Sequence, residues 1–229
     1  VSSGSVILAN TDLSTGMLNL NGGTLTTGQV SEGLGVGTVT FNGGSLQLTG
    51  EQANLFNSFE AGDVTLAAGG GIIDTQAFTV ATAYSLSGAG GLTKQGSGIL
   101  ALSGTHTYSG ATTVTAGTLQ LGANHIIADA SSVVVNGGIL NLQTFNETVA
   151  GLSLQSGSVT SSTGVLTSTT DYDVQSGTVS AILGGAVGLT KTTAGTVILS
   201  GDNTYSGATT VTDGTLQLGA NNIIVAATS

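Results

Sequence analysis

Proline, cysteine, tryptophan and arginine are all missing from this 229-residue chain, and its only cations are two lysines. Each absence excludes something. Without cysteine there is no disulfide framework and no thiolate metal site, and without proline or a Gly-x-y period there is no collagen-like helix. Two lysines against twelve acids, a formal charge of -10, cannot neutralise a phosphate backbone, so nucleic acid is excluded as a partner. Charged residues make up only 6% while hydrophobic ones make up 39%, so the chain is not a charge-swollen disordered tail. Val1-Ser2-Ser3-Gly4 has neither a basic nor an apolar leader, and no run approaches eighteen apolar residues. Neither a signal peptide nor membrane insertion is therefore expected of this segment.

What is abundant is glycine, threonine and repetition. Residues 91–127 return as 188–224, an offset of 97, with 27 of 37 positions identical. Beneath that duplication lies a finer step. Asn21-Gly22-Gly23-Thr24-Leu25 returns as Asn42-Gly43-Gly44-Ser45-Leu46, and Gly117-Thr118-Leu119 returns after the same interval as Gly138-Ile139-Leu140. That interval, about 21 residues, lies within the range of repeat architectures. A short unit inside a longer duplication is the mark of a solenoid, in which each coil touches only its neighbours.

Periodicity selects the kind of solenoid. Ser45-Leu46-Gln47-Leu48, Ile99-Leu100-Ala101-Leu102 and Thr118-Leu119-Gln120-Leu121 place an apolar residue at every second position, the strand period. The duplication assigns the faces: Ile99 becomes Thr196, as solvent permits, while Leu100 and Leu102 become Val197 and Leu199. Strands of four to six residues, about three to a coil, predict an all-β chain: a right-handed parallel β-helix of about 11 coils, continuous over residues 1–229. Stacked coils hydrogen-bond above and below, which explains the missing proline, and their corners require glycine. Residues 51–60 break the alternation, and the spacing of Leu55, Phe56 and Phe59 predicts an outward excursion of one or two helical turns. The Ser- and Thr-rich stretch 156–173 reads as a thinly patterned coil.

Gly88-Ala89-Gly90-Gly91-Leu92-Thr93-Lys94-Gln95-Gly96-Ser97-Gly98-Ile99-Leu100, then Thr107-Tyr108-Ser109-Gly110 and Gly117-Thr118-Leu119-Gln120-Leu121-Gly122, resembles the passenger-associated transport repeat of bacterial autotransporters. The second copy resembles it too, except that Gln95-Gly96-Ser97 becomes Thr192-Thr193-Ala194, which loses a corner glycine. The resemblance implies a β-helical passenger, exported through a C-terminal β-barrel that this chain does not contain, to the surface of a Gram-negative-type cell. It further implies a rigid stalk, structural or adhesive, whose repeats assist stepwise folding during export. Two rival readings are a fibre subunit assembled by end-to-end coil pairing and a polysaccharide-degrading β-helix enzyme. Possible partners are accordingly another copy of the chain, end to end, or a host-cell or glycan surface.

No catalytic, cofactor-binding or metal site is expected. Lys94 and Lys191 share the parity of Leu92 and Leu189, but an unpaired ammonium in a core is strongly disfavoured. A bend that turns them outward, to a nearby carboxylate, is expected in preference to a glycan contact. Tyr108 and Tyr205 recur in Thr-Tyr-Ser-Gly and are read as structural corners before sugar-stacking platforms. His106 and His125 become Asn203 and Asn222, so both are expected to face solvent. Asp171 and Asp173 lie on one face if extended, but neither a calcium nonapeptide nor an EF-hand accompanies them. The serines of the Tyr-Ser-Gly turns have no histidine partner in both copies.

Overall fold

The structure, a computed structural model, describes residues 4–219. Twenty-five short strands and no helix occur among them, and every named strand pair is parallel. The chain is a parallel β-solenoid of about 11 turns. Each full coil crosses three faces in order. Residues of coil one show the scheme: Ser5–Leu8 on the first face, Thr15–Leu20 on the second, Thr24–Thr27 on the third. The third face is the most continuous, running from Thr24–Thr27 through Leu92–Gln95 to Thr209–Val211. The second face carries regular strands near the start and again at Glu147–Val149, Val165–Ser168 and Ile182–Gly184. Between Leu102 and Thr112, and between Leu199 and Thr209, it is an irregular arch.

Alternation becomes a core by stacking. On the third face the paired residues Leu25, Leu46, Ile73, Lys94, Val114, Val135, Leu154, Val174, Lys191 and Val211 form a single inward column. On the first face Val80, Leu100, Leu119, Leu140, Val159, Val179 and Leu199 form another, all fully buried. The facing expected from Ile99 and Thr196 holds, since both lie outside the tube. On the third face, Thr93 and Thr190 are joined through Thr113, Val134, Ser153 and Asp173. The duplication therefore spans five complete coils.

The fine step is only an average. Leu166 pairs with Leu183 across a short coil, whereas Ser45 pairs with Ile72 across a long one. Corners absorb the difference, and glycine makes them possible. Gly157 (φ 95°) and Gly177 (φ 124°) stack at the corner between the third and first faces, where a Cβ on Gly157 would lie 2.1 Å from the Gly138 carbonyl oxygen. Gly96 adopts φ 80°, whereas Thr193 of the second copy is not in the left-handed region, so the two corners differ as the lost glycine suggests.

The helical excursion expected at 51–60 is not formed. Gln52 bridges to Val80 and Phe56–Asn57 is a strand paired with Val30 and Ser31. Leu55, Phe56 and Phe59 are buried inside the tube, not packed on its exterior. Phe41, Phe56, Phe59 and Tyr84 form an edge-to-face series with successive centroids 6.3 Å apart. The spacing looks helical because two exposed residues, Asn57 and Ser58, the latter at φ 68°, separate the inward-facing Phe56 and Phe59 and break the strand period. Residues 156–173 are an ordinary coil, with Val159 and Leu166 buried.

Candidate functional site

The buried polar groups mark where this scaffold departs from a simple aliphatic tube. Lys94 and Lys191 do not bend outward: both are fully buried, in regular strands, and belong to the aliphatic column of the third face. The expectation fails because the corner itself supplies the partners. Lys94 Nζ donates to the carbonyls of Gln95 (2.8 Å), Gly96 (2.8 Å) and Ala116 (3.2 Å). Lys191 Nζ donates to the carbonyls of Thr193 and Asp213, the latter at 3.2 Å. Ala116 and Asp213 lie on the next coil, so each ammonium ties its own corner to the one stacked on it. Burial pulls the Lys94 ammonium down to about 8, opposed by the charge of Asp74. For the Asp74 carboxyl, burial acts upward, but hydrogen bonds from Gln76 and Gln47 and the charge of Lys94 outweigh it and hold the group below its usual value.

A second arrangement runs up the second face. His106 is buried, and its Nδ1 accepts a hydrogen bond from the Leu86 backbone N–H of the preceding coil at 3.0 Å. Asn203, its counterpart in the second copy, accepts from Leu183 N–H through Oδ1 at 2.8 Å. Glu147 is buried too and accepts from Ile126 N–H at 2.8 Å. Three chemically different side chains thus provide the acceptor where strand pairing lapses, because an N–H left bare inside the tube would cost about 1–3 kcal/mol. The expectation that His106 faces solvent is thereby corrected. Desolvation pushes its imidazole down to about 4, so it stays neutral, with Nδ1 free to accept. His106 Nε2 and Asn203 Nδ2 have no hydrogen-bond partner among the described residues.

Sequence reasoning passed over Glu147 altogether. A signal was present: His106-Thr107, Glu147-Thr148 and Asn203-Thr204 each put a polar acceptor before threonine at the same point of a coil.

Tyr108 and Tyr205 are wholly buried in the two arches, their hydroxyls 2.5 and 2.7 Å from Thr112 and Thr209 Oγ1. They fill the tube where the second-face strand is missing and cannot stack on a sugar. No aromatic side chain is among the exposed large hydrophobic residues. Asp171 and Asp173 do share the outer side. Asp171 accepts from Gly188 N–H at 2.7 Å and Asp173 from the Ser153 hydroxyl at 2.8 Å, so each is engaged in joining coils. His125 is exposed as expected, at φ 50°, and the stacking brings it beside Asp129 and Glu147. With both lysines inside, the outer surface carries carboxylates and no ammonium side chain.

Two segments, 92–121 and 189–218, match the passenger-associated-transport-repeat model. These are passenger-associated transport repeats. Each begins on a third-face strand and ends on a first-face strand one coil later, enclosing the lysine corner, the arch and the buried tyrosine. An alignment of 138 positions that covers 58% of the chain is 33% identical to the adhesin BmaC autotransporter of Brucella suis biovar 1 (strain 1330). The chain spans only 4% of that protein's length. No solved structure matches the chain significantly.

Proposed function

We propose that this chain is a stalk segment of an autotransporter passenger, displayed at the surface of a Gram-negative bacterium, and that its role is mechanical and not enzymatic. The observation that carries this reading is the placement of the two repeats five whole coils apart, each with a lysine fastening one coil to the next. Such a contact is satisfied as soon as the following coil arrives. Stacking can therefore advance from the coil already folded, as a chain emerging through a membrane pore requires. The likeness to an autotransporter adhesin supports surface display. An outer surface without cations or exposed aromatic platforms favours a spacer over a glycan-cleaving or sugar-stacking site.

The test is export of the full-length protein carrying Lys94→Met and Lys191→Met together. The reading expects less protease-resistant passenger at the cell surface than for the unsubstituted protein, with the precursor accumulating behind the outer membrane. Unchanged surface amount and protease resistance would contradict it.

A further inference from the structure

The His125, Asp129 and Glu147 side chains each offer one ligand atom, and these three atoms lie within 4.8 Å of one another. His125 and Asp129 belong to one coil and Glu147 to the next. We propose that the three form a binding site for a divalent transition metal ion such as Zn²⁺, which clamps these two coils together.

Glu147 is the anchor. Its column already shows what the corner needs: a hydrogen-bond acceptor, which neutral His106 and Asn203 supply to Leu86 and Leu183. A carboxylate exceeds that need, and it occurs in the coil that faces His125 and Asp129. Oε2 accepts from Ile126 N–H at 2.8 Å and Ile127 N–H at 3.3 Å, and Oε1 from Thr148 N–H at 3.1 Å. A carboxylate has about four acceptor positions, so Oε1 retains one. The anchor is thus fixed in place by three backbone N–H groups, with one acceptor position left over.

The other two donors can move to meet an ion. His125 and Asp129 are exposed, while the His125 backbone is pinned by its N–H bond to Asn146 O at 3.0 Å. Tetrahedral zinc at about 2.0–2.2 Å from each ligand needs donors about 3.3 Å apart, which rotation of two exposed side chains can reach from the present spacing. One imidazole nitrogen and two carboxylate oxygens suit zinc and its first-row neighbours, whereas calcium and magnesium take oxygen alone. Three protein ligands leave a fourth position for water.

The donor set is also particular to this place. In the second unit the corresponding residues are Asn222 and Ala226, which lie outside the described residues. The repeat as such does not call for His125 or Asp129, and their replacements are supplied by the chain itself. The experiment is calorimetric titration of zinc chloride into the whole chain after chelator treatment, repeated with His125→Asn and Asp129→Ala. One ion per chain is expected, with a higher thermal midpoint in zinc and at least tenfold weaker binding in each variant. Calcium is expected to give no comparable binding. Absence of zinc uptake, unchanged affinity in both variants, or calcium binding as tight as zinc would overturn the site.

Discussion

Lys94 illustrates why a residue's surroundings can outweigh its type. Carried alone into an aliphatic column, an ammonium would cost several kcal/mol, but three carbonyl oxygens meet it at the corner. Lys94→Met would fit the column and strand the Gly96 and Ala116 carbonyls. A loss of about 1–3 kcal/mol, read from the urea midpoint, is the expected result, while a solvent-facing lysine would give almost none. His106 offers a pH test. Its imidazole is held at about 4 in the fold against about 6.5 when unfolded, so between these values the unfolded chain binds the extra proton. The stabilisation is complete above pH 6.5 and is lost as the pH falls towards 4, by at most about 3 kcal/mol. His106→Asn, the second unit's own solution, is expected to remove this part of the acid sensitivity in urea melts at pH 7 and pH 4.5. Parallel losses in the two proteins would contradict the assignment.

At the scale of the coil, the alternation in Thr118–Leu121 was readable because Leu119 and Leu121 face the tube and Gln120 does not. Leu119→Asp places an unpaired charge between Leu100 and Leu140 and is expected to cost roughly 3–5 kcal/mol, whereas Gln120→Asp should lie within about 0.5 kcal/mol of the unsubstituted protein. Thermal melts of the pair decide it; equal losses would mean the facing is wrong. The same alternation gave Lys94 the inward parity of Leu92 but could not show what would pair with its ammonium, nor could it reveal the roles of His106 and Glu147, because the partners of all three are backbone groups, and backbone groups leave no trace in composition. Nor could it place Phe56 and Phe59. There the period is broken by the exposed Asn57 and Ser58, and a broken strand period imitates a helical one. The Thr-Tyr-Ser-Gly arch was legible as structure because duplication retained Tyr108 as Tyr205, while its inward direction was set by a missing strand that no local pattern announces.

For the molecule as a whole, the duplication acts as a ruler. Thr93 and Thr190 lie in one outward column, joined through Thr113, Val134, Ser153 and Asp173, and Thr113 and Thr210 stand in the same relation one coil further on. Five coils at about 4.8 Å give a separation of about 24 Å for both pairs. The chain has no native cysteine, so spin labels can be set on Thr93→Cys with Thr190→Cys, and separately on Thr113→Cys with Thr210→Cys, and the intervals measured by pulsed electron paramagnetic resonance. Two narrow, coincident distributions at that common separation, allowing for the label arms, are expected from coils stacked in register. Broad distributions, or two clearly different distances, would contradict the stacked solenoid.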